Sequence, residues 1–173
     1  MATLIRSRRL EDLATLLERL ETLHDRLHQA IRRKIEAMRR NDLGAMGDAT
    51  QEEARLAGQI REREGLRKQL LEALGREAGW PMSGARVLPA SELLSRLAEP
   101  QRSALAGRVE RLRASVARVA QANRLAGAVA RGTLDHLGWV FAAVRHEDGK
   151  AAGYSDRGGA VVAAGTRILD AVG

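Results

Sequence analysis

The sequence has no cysteine, so it forms no disulfide, holds no metal through thiolates and carries no thiol redox chemistry of its own. That absence suits a reducing compartment, and the chain is expected to be cytoplasmic. Aromatic residues are nearly as scarce, with Trp80, Trp139, Phe141 and Tyr154 as the complete set in 173 residues. A β-sandwich or barrel core leans on aromatic and β-branched side chains, so an all-β fold is excluded. Long apolar runs are also missing: the stretch Leu137 to Val144 falls far short of the ~20 residues a membrane-spanning helix needs. Met1 to Arg9 contains no apolar stretch of the ~7 to 15 residues of a secretory leader.

What is abundant is Leu, Ala, Arg and Glu, a helix-forming composition. Leu10, Leu13, Leu17, Leu20, Leu27, Ile31, Ile35 and Met38 recur at spacings of three, four or their sum, which is one helix face. Leu16 and Leu23 widen that face, so the helix should touch more than one neighbour. Gly44 and Gly47 weaken a helix, and Thr50 with Glu53 makes a capping box, which predicts a turn followed by a second helix from about Thr50. The second helix carries Leu56, Ile60, Leu66, Leu70, Leu71 and Leu74 on or beside its buried face. Gly75, Gly79, Pro81, Gly84 and Pro89 mark a linker, Ser91 caps a short helix over 92–98, and Pro100 opens the longest helix. Its seam steps by four and three through Leu105, Val109, Leu112, Val116, Val119, Asn123, Ala126, Ala130, Thr133, Leu137, Val140 and Val144. The small residues at its centre permit close approach by another helix.

The predicted fold is all-α: an elongated antiparallel helical hairpin packed on a long third helix, a coiled-coil-like bundle with a flexible C-terminal tail. Helices are expected over about 7–41, 50–75 and 100–145 with a linker over 76–99. This gives one bundle domain over 1–144 and a tail over 145–173, where Gly149, Gly153, Gly158 and Gly159 end the pattern.

No constellation for catalysis emerges. His24 and His28 share a helix face but lack a third metal ligand in any recognisable motif. Adjacent carboxylates such as Glu52 and Glu53 are ordinary in charged helices, and no serine sits in a Gly-x-Ser-x-Gly turn. No enzyme activity, cofactor or metal is expected. The net charge of +7 is spread among interspersed acids, and arginines such as Arg102, Arg113, Arg124 and Arg131 fall nearly on one helix line. That line supports one alternative, a basic coiled-coil protein binding nucleic acid or an anionic surface. Acids such as Glu11 and Glu18 offer those arginines partners, so nucleic acid is the disfavoured reading. The favoured one is a helical protein whose exposed apolar or small-residue groove receives another helix.

The order of features over Leu10 to Gly158 resembles the FlgN family of flagellar export chaperones. The resemblance rests on the leucine-rich first helix and the turn Asn41-Asp42-Leu43. It continues in a glutamate-led second helix, Glu53 to Leu56, that ends in Arg67-Lys68-Gln69-Leu70-Leu71 and reaches Gly75. The third helix adds Ala122-Asn123-Arg124-Leu125-Ala126-Gly127 with Leu134 and Leu137, and the tail adds Gly153-Tyr154-Ser155-Asp156-Arg157-Gly158. The resemblance implies a cytosolic chaperone of type III export that binds hook-filament junction proteins (FlgK/FlgL-like) and delivers them to an export gate. The small and apolar residues of the third helix make Val116, Val119, Asn123, Ala126, Ala130, Leu134, Leu137 and Phe141 the expected client-binding set. The resemblance further implies that Tyr154 contacts the export-gate protein (FlhA-like). The sequence leaves a homo-oligomer open.

Overall fold

The computed structural model describes residues 7–77, 79 and 90–148. They form four helices and, among the described residues, no strand: α1 Ser7–Arg39, α2 Leu43–Glu77, α3 Ala90–Ser95 and α4 Gln101–Asp148. The all-α expectation holds. The chain divides into two compact units, residues 1–129 and 130–173, with α4 contributing residues 101–129 to the first and 130–148 to the second. The expected tail and Tyr154 lie outside the described residues.

In the first unit α1 and α2 form an antiparallel hairpin around a three-residue turn, Arg40 to Asp42. Asn41 adopts a left-handed backbone, φ 54°, and its amide reaches the Met38 carbonyl at 3.2 Å while the Asp42 amide reaches Ala37 at 3.0 Å. Those two bonds close the end of α1 in a Schellman arrangement, with asparagine tolerated where glycine is commonest. Asp42 then turns to its other side and caps α2, its Oδ1 accepting the Ala45 amide at 2.9 Å. The second helix therefore begins at Leu43, not near Thr50, and runs through Gly44 and Gly47. The capping box is not formed: Thr50 Oγ1 donates back to the Met46 carbonyl at 2.8 Å, and Glu53 accepts a bond from Lys34 of α1. A real cap with a three-residue turn outweighs the weakness of two helical glycines, each worth about 1 kcal/mol against alanine.

α4 runs parallel to α1, since Arg108 meets Glu18, Arg111 meets Glu21 and Ser115 meets Asp25 at a constant sequence offset. The first unit is thus an up-down-up bundle. One end of its core joins Leu10, Leu13 and Leu17 of α1 with Leu71 and Leu74 of α2, and Leu105 and Val109 of α4. Leu93 of α3 and Leu97 beyond it close that end. The short helix lies at Ala90–Ser95, earlier than the expected 92–98. Arg102 fixes its exit by donating from Nε and an Nη to the Leu97 carbonyl, at 3.0 and 2.8 Å. Glu99 caps α4: its Oε2 accepts the Ser103 hydroxyl at 2.6 Å and the Ser103 amide at 3.3 Å, and those bonds hold its carboxyl below the usual range. A second cluster, Ile31 and Ile35 with Val119, Ala122 and Ala126, binds α4 to the other end of α1.

The turn makes a ranking that a urea titration checks. Asp42→Ala should cost about 1 kcal/mol of stability, and Thr50→Ala markedly less. The reverse order would return the start of α2 to Thr50.

Candidate functional site

The α1/α4 seam decides which residues of α4 are free to meet another molecule. The sequence stepping places Val116 and Asn123 in the seam, but the buried positions are one residue earlier, Ser115 and Ala122. Ser115 is fully buried, and its hydroxyl donates to the Asp25 carboxylate at 2.7 Å. The neighbouring guanidinium of Arg118 donates to the same oxygen at 2.6 Å. Partial burial works to raise the Asp25 pKa, and the Ser115 hydroxyl and Arg118 guanidinium, helped by His28, outweigh it and hold the carboxyl below its ordinary value. Apolar stepping prefers valine to serine, so this polar lock left no signal in the periodicity. A serine opposite an aspartate on a partner helix is visible only once the helices are in register.

The expected client-binding residues separate into two groups. Val119 and Ala126 are buried against Ile31 and Ile35, so α1 already covers them. Val116 and Asn123 are exposed in the first unit. The other four belong to the second unit, where Ala130 is half-buried and Leu134, Leu137 and Phe141 are exposed. Leu134 is 68% and Phe141 65% exposed, a large apolar display for a helix. With Val144, 52% exposed, they recur at three and four residues and share one face of α4. Trp139, 68% exposed, was missed because it lies off that stepping; its ring stacks on His136 with centroids 6.2 Å apart.

The residues weighed for other chemistry are engaged in structure. Glu52 accepts both Nε and an Nη of Arg55 at 2.7 Å and lies 3.7 Å from Arg26, whereas its neighbour Glu53 pairs with Lys34. The two carboxylates therefore serve separate ion pairs. His24 is buried with Nδ1 2.8 Å from the Leu20 carbonyl, and among the described residues no group of three His, Cys, Asp or Glu could hold a metal. Of the arginine line, Arg102 binds the Leu97 carbonyl and Arg113 pairs with Glu110 at 2.5 Å. The acid expected to take one of them, Glu18, pairs with Arg108 at 2.8 Å instead. No described helix is long and apolar enough to cross a membrane.

A large apolar helix face left in water is the kind of surface that marks protein interaction sites. One known family, described as FlgN protein, matches residues 1–161. The chain belongs to the FlgN family, a family of flagellar export chaperones. No curated protein and no solved structure matches it.

Two substitutions separate seam from surface. Ala126→Glu places a carboxylate among Ile31, Ile35 and Val119 and should cost roughly 2 kcal/mol or more in urea unfolding, whereas Phe141→Ser should leave stability within about 0.5 kcal/mol. The Asp25 contribution has a definite pH sign: with a folded pKa below the unfolded one, it is fully present above the ordinary aspartate range and lost as pH falls through the folded value. The urea midpoints of the wild type and Asp25→Asn should therefore differ at neutral pH and converge on acidification below about pH 4.

Proposed function

We propose that this protein is a cytosolic export chaperone that holds a helical segment of a hook-filament junction protein, FlgK- or FlgL-like, on the second unit's face of α4. The observation that carries this reading is the exposure of Leu134, Leu137, Phe141 and Val144 on one helix face, in a chain of the FlgN family. Such a face costs free energy in water and gains it back when a client's amphipathic helix covers it, at about 25 cal/mol per Å² of apolar surface removed. Ala130 lets the client approach closely at one end, and Phe141 supplies an aromatic anchor toward the other. Val116 and Asn123 are exposed on α4 in the first unit and extend the candidate set. Delivery to an export gate, FlhA-like, would use Tyr154, whose ring offers contact area at low entropy cost.

The client assignment is tested by titrating purified junction protein onto the full chain. Leu134→Ser with Phe141→Ser should weaken binding by about 2 kcal/mol or more while leaving helix content unchanged. Full affinity in the folded double variant would move the client elsewhere. Tyr154→Ala should leave client affinity intact and weaken binding of the loaded chaperone to the gate domain by about 1 to 3 kcal/mol; equal gate affinities would remove Tyr154 from the contact.

A further inference from the structure

The ion-pair ladder between α1 and α4 stops partway along the first unit. It is complete at Glu18 with Arg108, Glu21 with Arg111 and Asp25 with Arg118. Past that point α1 carries Arg26, Arg32, Arg33, Lys34 and Arg39, with Arg40 just beyond its end, against a single acid, Glu36. From 111 to 134, α4 has five arginines and no acid at all. The acids that α2 brings to α1 are taken elsewhere, Glu52 by Arg26 and Arg55 and Glu53 by Lys34, and Glu36 pairs with Arg40 at 2.7 Å. Arg32 and Arg39 are exposed and make no ion pair among the described residues.

These cations border a groove of about 610 Å³ between the two helices. Ile35 and Ala122, both buried, form its floor and Leu125 its exposed apolar edge, while Arg32, Arg33 and Arg39 line it with one acid, Glu36, which pairs with Arg40, and with Arg118, which pairs with Asp25. Leu125 is 47% exposed, an aliphatic side chain with half its surface in water beside guanidinium groups. We infer that this groove is a docking site for an acidic amphipathic helix of a partner protein. The apolar face of such a helix would cover Leu125, and its carboxylates would meet Arg32 and Arg39 with the bidentate geometry that arginine offers. Charge complementarity selects this occupant. A polynucleotide would neutralise the same cations but would leave Leu125 in water, and no Phe, Tyr or Trp among the described residues of the first unit offers a base a stacking surface. A second copy would bring its own cationic α1 and α4 against these. The site lies in the first unit and stands whether or not the second unit's face binds a junction protein.

The test uses the full chain and a fluorescein-labelled designed helical peptide with leucines at i, i+3, i+4 and i+7 and glutamates on both flanks, read by fluorescence anisotropy. The peptide should bind. Arg32→Glu with Arg39→Glu, at exposed positions where helix content should be retained, should weaken it about tenfold or more, as should a peptide with lysine in place of glutamate. Leu125→Ser should weaken it several-fold, and a scrambled peptide of equal charge should bind poorly. In the Leu134→Ser, Phe141→Ser background, which removes any binding of the peptide to the client face, the arginine reversal should still weaken the peptide about tenfold, which separates the groove from the client face. Equal binding of the scrambled peptide, no effect of the double arginine reversal, or displacement of the peptide by single-stranded RNA or duplex DNA at equal concentration would overturn the assignment.

Discussion

Everything in the first unit depends on α1 being buried along two sides at once. Leu20 and Ile31 are at most 1% exposed, and Leu10, Leu13 and Leu17 join α2 and α4 in one cluster. α2 fastens to one side through Arg9 with Glu77 and Lys34 with Glu53, and α4 to the other through Glu18, Glu21 and Asp25. The exposed pairs each contribute about 0 to 1 kcal/mol, so they set register while apolar burial holds the bundle together. A leucine such as Leu74, fully buried, is worth several of them: truncation to alanine at such a site costs about 2 to 5 kcal/mol.

α4 meets that demand with small side chains. Ser115, Ala122 and Ala126 let its backbone approach α1, and the Ser115 hydroxyl satisfies a carboxylate that burial would otherwise penalise. In its residues 130–148 the same helix carries Leu134, Leu137, Trp139, Phe141 and Val144, all exposed. The change from small and buried to large and exposed within one helix separates what α4 does for the fold from what it offers a partner.

Charge follows a similar division within the first unit. Where α1 supplies acids, the arginines of α4 are paired across the seam; where α1 turns basic, Arg32 and Arg39 face solvent. The net charge of +7 is therefore not an even coating. It is concentrated where cross-helix pairing ends, and a concentration of like charge beside apolar surface favours a partner of opposite sign.

The helical class and the width of the α1 stripe were legible in the sequence because periodicity is a local property; residue chemistry placed the turn at Gly44 and Gly47, inside what is α2, and the Asn41-Asp42 turn was implied only by the family resemblance. The family resemblance was legible for the same reason, as an order of local features. The start of α2 was misread because Thr50 and Glu53 fit a cap pattern, and the choice between Asp42 and Thr50 as cap rests on where α1 ends in three dimensions. The seam of α4 was misread by one residue at Val116 and Asn123, since apolar size favours valine while packing against α1 required the smaller Ser115 and Ala122. Within the candidate set, side-chain type could not tell Val119 and Ala126, covered by α1, from Leu134 and Phe141, left in water. A sequence states which side chains can be buried; whether a neighbour arrives to bury them is decided by helix register and by how far the partner helix extends, and those exist only in the tertiary structure.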